Sequence, residues 1–286
     1  MIEGGGTRFR CERWDAADRV LGQCEIPTTT PEETLRAVVE FFSSAPVAAV
    51  GLACFGPLGV ERGSSRFGRI LATPKPGWSD ADVVGTLEQE LRAPVHFHTD
   101  VIGAALGEWL HGSARGARCV LYVTVGTGVG GGALLDGQPI GGAGHAEIGH
   151  IGVKRARGDA FVGACPFHGD CLEGLIAGPA LKARTGHPGE SLPIDHPAIE
   201  LAADTLGAAL GSLALSLSPD VIVVGGGVMR DGALLPRVRT AARESLHGYF
   251  DGWRTAEAVE RRIVSPGLAG RSALVGAREL IRRAAR

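Results

Sequence analysis

Short apolar runs alternate with longer amphipathic segments along most of the chain. The runs have the length of buried strands and are flanked by turn residues, which predicts strands at 8–14, 18–26, 47–54, 94–98, 119–125, 131–135 and 220–224. The longer segments carry helical periodicity, which predicts helices at 31–44, 80–92, 101–111, 198–217, 232–249 and 271–285. Strands that alternate with helices indicate an α/β protein.

Three glycine-rich loops follow predicted strands. The first is Gly4-Gly5-Gly6-Thr7, the second begins Gly126-Thr127-Gly128, and the third is Gly225-Gly226-Gly227. The second matches the spacing of the dinucleotide fingerprint, but that motif requires a helix after the loop, and a strand is predicted here. A glycine turn between strands can still present backbone N–H groups to phosphate, although a plain hairpin is the simpler alternative. Three such loops favour one nucleotide bound across a cleft, between two related domains whose similar turns lie about 120 residues apart.

Composition limits the possible functions. The 286 residues carry a net charge of −2, which gives no electrostatic footprint for nucleic acid or an anionic membrane. No apolar run approaches about 18 residues, so we expect no membrane span. The N-terminus shows no signal-peptide pattern, and the scattered cysteines do not form a disulfide framework. We therefore expect a cytoplasmic protein.

Four potential metal ligands lie close together in the middle of the chain: His150, Cys165, His168 and Cys171. Two thiolates and two imidazoles favour Zn²⁺ over Ca²⁺ or Mg²⁺, and four protein ligands fit a closed structural site. The alternative is that the cysteines are ordinary buried thiols and the histidines are incidental. Polar residues flank the cluster on both sides, which suggests the floor of a binding site.

These motifs together resemble the ROK sugar kinases, and specifically their fructokinase branch within the actin-like ATPase superfamily. Glu3 to Thr7 resembles the family's first phosphate loop, Thr99-Asp100 its catalytic segment, and Gly126 to Gly128 its second phosphate loop. Gly144 to His150 resembles the sugar-binding signature G-H-x-E-x-G-H, and Cys165 to Gly174 the zinc site of the branch. Nearly the whole sequence takes part in the resemblance.

The resemblance implies two actin-like (ribonuclease H-like) α/β domains around a central cleft, with a zinc-binding loop. The expected smaller domain comprises 1–104 plus 271–286, and the expected larger domain, with the zinc site, comprises 105–270. The implied activity is ATP-dependent phosphorylation of D-fructose at O6, with ATP, Mg²⁺ and a structural Zn²⁺ as cofactors and a homodimer as the assembly.

The resemblance also assigns roles to residues. Asp100 is the expected general base, although Asp100 or Thr99 could instead serve only to cap the following helix. The expected substrate-binding residues are Gly56, Pro57, Thr99, Asp100, Glu147, His150 and Glu173. The expected cofactor-binding residues are Glu3, Gly5, Gly6, Thr7, Arg8, Gly126, Thr127, Gly128, Gly225, Gly226 and Gly227. Glu3 and Arg8 depart from the family's Asp and Lys but keep the charge sign.

Several alternatives stay open at this point. Glucose or mannose would use a similar clamp, and a sugar-responsive regulatory protein without a DNA-binding domain is a further possibility. A zinc-stapled sugar-binding module without catalysis would not explain the paired phosphate loops or Asp100. His145 could assist at the site or could simply be a turn residue. Lys75 and Trp78 are expected in a solvent-exposed loop. The phosphate loops, distant in sequence from the zinc cluster, are expected to fold independently of it.

Overall fold

The computed structural model describes residues 1–285, which form two compact units. Unit 1 contains Met1–Gly112, Pro139–Ala146 and the chain from Leu268 onward, and unit 2 contains Ser113–Gln138 and Glu147–Gly267. The division into 1–104 plus 271–286 and 105–270 remains a prediction.

Unit 1 is built on a five-stranded mixed sheet with the strand order β3-β2-β1-β4-β5. Its strands are β1 Ile2–Gly4, β2 Arg8–Trp14, β3 Val20–Pro27, β4 Val50–Cys54 and β5 Val95–Thr99. Its helices are α1 Pro31–Phe42, α2 Val83–Leu91, α3 Asp100–His111 and α9 Ser272–Ala284. Strand β1 pairs antiparallel with β2 and parallel with β4, and β4 pairs parallel with β5. The buried strand β4 therefore lies between β1 and β5.

Unit 2 carries a second five-stranded mixed sheet with the order β10-β9-β6-β7-β8. Its strands are β6 Cys119–Val125, β7 Val129–Leu135, β8 Gln138–Pro139, β9 Val221–Gly225 and β10 Ile263–Val264. Its helices are α4 Leu172–Ile176, α5 Gly178–Thr185, α6 Pro197–Leu217, α7 Leu235–Ser245 and α8 Ala256–Arg262. Strand β6 pairs antiparallel with β7 and parallel with β9.

The two sheets share one topology. In each, the first strand of the unit forms an antiparallel hairpin on one side and a parallel pair with a later strand on the other. The hairpin turn is the first glycine loop in unit 1 and the second glycine loop in unit 2. The expected α/β fold with two related domains is therefore confirmed.

Helix α6 is long and apolar enough to cross a membrane by length and composition. However, 67% of its most apolar window is buried inside the protein, and Leu206 and Leu210 belong to the hydrophobic core of unit 2. The amphipathic helix α7 packs along it. Helix α6 is thus accounted for as the core helix of this unit.

One sequence-based expectation about the surface is wrong. Trp78 is fully buried, and its ring packs against Phe9 and Phe55 with centroid distances of 5.7 and 5.1 Å. Its indole N–H donates to the carbonyl of Thr29 at 2.8 Å, so the polar end is satisfied. The segment is rich in proline, glycine and serine and looks like a surface loop, but it carries a core side chain. Nζ of Lys75, in the same loop, donates a hydrogen bond to the carbonyl of Thr28 at 2.9 Å.

Candidate active site and metal centre

The carboxyl ends of three strands meet at one edge of the unit 1 sheet. Gly4 lies opposite Cys54, and Cys54 lies opposite Thr99, so the ends of β1, β4 and β5 are side by side. The residues that follow them are the first glycine loop, the turn Phe55–Leu58 and Asp100. Ligands of open α/β sheets bind beyond such carboxyl edges. The edge thus gathers the unit 1 candidates in one place.

Asp100 is the first residue of α3, and its surroundings favour the protonated form. The side chain of Thr99 caps the helix by accepting the N–H of Ile102 at 3.4 Å, so Asp100 is not needed for that role. Asp100 keeps some accessible surface but is densely surrounded, and this desolvation raises its pKa to about 6. The N–H of Val101, 2.9 Å from Oδ1, partly opposes the shift. A carboxylate with this pKa is matched to proton abstraction near neutral pH.

Glu3 lies near Asp100 and has an unsatisfied oxygen. Its Oε2 is buried without a hydrogen-bond partner, and Nη1 of Arg10 is 3.6 Å away. Burial raises the pKa of Glu3, Arg10 lowers it, and the negative charge of Asp100 raises it further. A carboxylate oxygen that lacks a partner, like Oε2 of Glu3, is the kind of donor that a hard divalent cation prefers.

The side chain of Arg8 pairs with a glutamate of the neighbouring strand and not with Glu3. Its Nη1 pairs with Oε2 of Glu25 at 3.2 Å across the β2–β3 pair, and the side chain is 52% exposed. Arg10, which the sequence did not single out, is the arginine nearest to Glu3. Arg8 and Arg10 lie two residues apart and share one face of β2, so side-chain alternation does not distinguish them. The register of the β1–β2 hairpin does, because it places Arg10 directly opposite Glu3.

In unit 2, the second and third glycine loops lie beside each other. They follow the parallel strands β6 and β9, and Thr124 is in register with Gly225. The second loop closes by a hydrogen bond from the N–H of Gly126 to the carbonyl of Gly128 at 2.8 Å. In the third loop Gly226 has a φ of 97° and packs against the backbone of Val125, where no side chain would fit. The two loops thus lie close together through backbone contacts that only glycine permits at Gly226.

The four predicted metal ligands converge in unit 2. Nδ1 of His150 is 3.6 Å from Sγ of both Cys165 and Cys171, and 3.3 Å from Nδ1 of His168. Sγ of Cys165 is 3.7 Å from Nδ1 of His168. A tetrahedral Zn²⁺ with ordinary bond lengths would separate its sulfur and nitrogen ligands by about 3.6 Å and its two nitrogen ligands by about 3.3 Å. The ligand geometry thus fits zinc, whereas unrelated buried thiols would not need such spacing.

Local backbone structure explains how the ligands come together. Cys165 and Gly169 exchange two backbone hydrogen bonds of 3.1 and 2.9 Å, which close a tight turn and aim Cys165 and His168 the same way. Gly152 pairs with Cys171, which brings His150 alongside. Burial raises the pKa of the Cys171 thiol to about 11, so a bound cation is what would hold it as a thiolate at neutral pH.

Glu173 links this cluster to the second glycine loop. Its Oε2 accepts the backbone N–H of Val129 at 2.9 Å, and its Oε1 lies 3.9 Å from Nε2 of His150. Nδ1 of His150 faces the thiols, so Nε2 is the nitrogen left for a ligand. A Cβ at Gly128 would come within 2.6 Å of the Glu173 carboxylate and would push that carboxylate away from the N–H of Val129. The second loop therefore contacts the zinc segment, and its folding independently of the metal stays a prediction.

The predicted site residues thus form two groups. Unit 1 brings together Glu3, the first glycine loop, Gly56, Pro57, Thr99 and Asp100. Unit 2 brings together the second and third loops, His150, Glu173 and the metal ligands. Glu147 joins the second group through its backbone carbonyl, which accepts the N–H of His150 at 3.0 Å.

Comparisons with known proteins agree with this arrangement. The model of the ROK family matches residues 1–284. A fructokinase from Zymomonas mobilis is 42% identical over 96% of this chain and 93% of its own length. A fructokinase from Pediococcus pentosaceus is 39% identical over 96% of this chain and 94% of its own length.

Glucokinases are more distant relatives. The one from Streptomyces coelicolor is 28% identical over 98% of this chain. Among solved structures, a ROK family glucokinase from Streptomyces griseus, in complex with glucose and AMPPNP, superposes with a TM-score of 0.78. It is 26% identical and covers 99% of this chain and 98% of its own. The whole-length family match and the fructokinase relatives show that the chain belongs to the ROK family.

Proposed function

We propose that the chain is an ATP-dependent fructokinase that converts D-fructose and ATP to D-fructose 6-phosphate and ADP. The observation that supports the reaction type is the setting of Asp100, a poorly solvated carboxylate with a pKa of about 6 at the carboxyl edge of a parallel strand pair. The support for fructose is that the relatives at 39% and 42% identity are fructokinases, whereas the glucokinase is at 28%.

In this proposal Asp100 acts as the general base. The 6-hydroxyl of fructose gives its proton to the carboxylate while its oxygen attacks the γ-phosphorus of ATP, and ADP leaves with the electrons of the broken P–O bond. Gly56, Pro57 and Thr99 would border the sugar on the same edge. Positioning and charge stabilisation supply most of the rate in such transfers.

The sugar hydroxyls would be held by Glu147, His150 and Glu173. Charged acceptors in fixed geometry suit a dense set of hydroxyl groups. His150 is suited to the role because one ring nitrogen faces the metal ligands and the other faces Glu173. A zinc ion held by His150, Cys165, His168 and Cys171 would be structural, since four protein ligands leave no open position.

The nucleotide would be held by backbone groups of the three glycine loops, with Thr7, Thr127 and Arg8 as the expected side-chain contributors. Mg²⁺ would supply neutralisation of phosphate charge when bound, and the unsatisfied Oε2 of Glu3 is the oxygen donor that fits it. A homodimer and a cytoplasmic location remain predictions, and light scattering of the purified protein would test the first.

The deciding experiment is an ADP-release assay with ATP and Mg²⁺ across D-fructose, D-glucose and D-mannose, with product identified by mass and NMR. We expect the highest kcat/KM for D-fructose and phosphate on O6. A higher value for glucose or mannose would replace the substrate assignment with the corresponding kinase of the same family. ADP release with none of the hexoses, while fructose still binds by calorimetry, would favour a sugar-responsive regulatory protein.

A further inference from the structure

A histidine of unit 1 makes a contact that the proposed chemistry does not use. His145 lies on the short segment Pro139–Ala146, which packs with unit 1. Its Nε2 accepts the backbone N–H of Leu58 at 2.9 Å. Its Nδ1 lies 3.4 Å from the carbonyl oxygen of Ala146. An N–H group can bond only to an unprotonated ring nitrogen, so the proton of the neutral ring is on Nδ1.

The ring of His145 also rests against the turn that contains Leu58. A Cβ added at Gly56 would touch Cε1 and Nε2 of the ring at 3.4 and 3.5 Å. The peptide bond between Gly56 and Pro57 is cis. On its other side the turn is held by the N–H of Leu71, which donates to the carbonyl of Pro57 at 2.7 Å. The N–H of Phe55 also donates to the carbonyl of Gly4 at 2.7 Å, so His145 supplies a side-chain contact to a turn whose other hydrogen bonds join backbone groups.

This turn is adjacent to Asp100. Cys54 and Thr99 are in register on neighbouring parallel strands, so the residues that follow each, Phe55 and Asp100, leave the sheet side by side. Asp100 and His145 are close enough for their charges to interact, and His98 is a further titratable neighbour. Burial lowers the pKa of His145, which keeps the ring neutral and able to accept the Leu58 N–H.

We propose that His145 is a positioning residue that fixes the Gly56–Leu58 turn beside Asp100 through its hydrogen bond to Leu58. It acts as a neutral acceptor and takes no part in proton transfer, because Nε2 is occupied by a backbone N–H and Nδ1 faces a backbone carbonyl. The inference rests on the proposed function, in which this turn borders the sugar. In this role His145 assists at the site indirectly, because it fixes the turn that borders the sugar.

Two substitutions distinguish positioning from acid–base chemistry. His145→Gln places an amide oxygen close to the position of Nε2 and can accept the same N–H, but it cannot exchange a proton. His145→Leu fills similar space without an acceptor and leaves a buried N–H without a partner. His187→Leu, at an exposed histidine in unit 2, is the matched control.

For His145→Leu we expect KM for D-fructose to rise about tenfold with a smaller change in kcat, as for the loss of binding shared by ground and transition states. His145→Gln should restore KM to within about threefold of the parent, the residual reflecting imperfect geometry. Hydrogen exchange of the peptide containing Leu58 gives a readout that does not depend on activity. It should be accelerated in His145→Leu and near the parent rate in His145→Gln and His187→Leu.

Two results would overturn the proposal. If His145→Gln loses kcat as severely as His145→Leu while its Leu58 amide stays protected, the ring exchanges a proton and is catalytic. If His145→Leu leaves both the exchange rate and KM unchanged, the contact positions nothing. Failure of the proposed function itself would appear differently, as a parent protein that phosphorylates no hexose, and the exchange measurement would still report on the turn.

Discussion

Asp100 offers the sharpest test at the scale of single residues, because its ionisation and its proposed role point to one pH range. Desolvation raises its pKa to about 6, above the ordinary value for an aspartate. A general base works only as the carboxylate, so kcat/KM for fructose should be full above pH 7 and fall tenfold per pH unit below the pKa. A pH–rate profile with saturating ATP and Mg²⁺ measures this.

The fall in kcat/KM at low pH, the acid limb of the profile, must be distinguished from loss of zinc or unfolding. Enzyme held at pH 5.5 and returned to pH 7.5 should recover full activity if protonation of Asp100 is the cause. Asp100→Asn should lower kcat by roughly 10²–10⁴ and remove the limb from the residual rate. Near-parent turnover of Asp100→Asn would show that another group takes the proton.

Cys24 gives a second residue-scale prediction that does not depend on catalysis. It lies opposite Cys11 on the β2–β3 pair, and the hydrogen bond from the Cys11 thiol lowers the pKa of Cys24 to about 7. Thiolates are the reactive form, so alkylation of Cys24 by iodoacetamide should be half-maximal near pH 7. Burial raises the pKa of Cys54, which should label far more slowly.

The matched control is Cys11→Ala, which removes the hydrogen bond and should move the labelling midpoint of Cys24 toward the ordinary thiol value. Peptide mass spectrometry reads out each site separately. Labelling of Cys24 no faster than Cys54, or a midpoint that Cys11→Ala leaves in place, would contradict the assigned cause.

From the sequence, the types of residue at the candidate site were easier to predict than the contacts that those residues make. The His/Cys spacing identified the metal ligands because the sequence separation constrains which atoms can meet around one ion. The partners of Arg8, His145 and Trp78 depend on how distant segments pack. Trp78 illustrates the difference: its neighbours in sequence are turn formers, but its ring is buried against Phe9 and Phe55.

At the scale of elements, periodic segments were predictable and short ones were not. Helix α1 begins at Pro31, as the sequence predicts, and Thr30 is its N-cap. Helices α4, α5 and α8 were missed because each has only five to eight residues, too few for a clear apolar stripe. The helix predicted at 232–249 is shorter, Leu235–Ser245, since Arg230 and Asp231 take positive φ values before it and Gly248 follows it.

The packing of α3 on α9 gives an element-scale prediction. A Cβ at Gly276 in α9 would overlap the carbonyl oxygen of Gly103 in α3, so the two helices approach with backbone nearly in contact. Gly276→Ala should force them apart and cost about 1–3 kcal/mol of stability, a fall in Tm of roughly 2–10 °C. Gly142→Ala, where no atom lies within 4 Å of the added Cβ, is the control. Equal Tm values for the two variants, measured by calorimetry, would mean that the helices can separate without cost.

At the scale of the whole molecule, the two units contain sheets of the same topology. In each sheet the hairpin after the first strand is a glycine loop, for which phosphate contacts are proposed. The sequence predicted this duplication because both hairpin turns are glycine-rich and both are followed by strands. It could not predict that the second loop contacts the metal segment. These contacts are long-range: the side chain of Glu173 accepts the N–H of Val129, and Gly149 packs closely against the Val129 carbonyl.

The contacts of the second glycine loop with the metal segment affect the expected response to removal of zinc. His150 and Glu173, both proposed to bind the sugar, lie in or beside the metal cluster. The second loop contacts the segment through Val129, whose N–H donates to Glu173 and whose carbonyl packs against Gly149. Titration with a chelator should therefore raise KM for fructose first, by about tenfold, with KM for ATP rising later and less.

Cys171→Ser is the matched control, because it lacks one ligand and should show a raised KM for fructose that chelator does not increase further. Tm followed across the same titration separates local from general effects. If KM for fructose rises before Tm falls, the metal supports the sugar pocket specifically. If Tm falls first and both KM values rise in equal proportion, the metal stabilises the unit as a whole, and the hydrogen bond from Val129 to Glu173 does not carry the coupling.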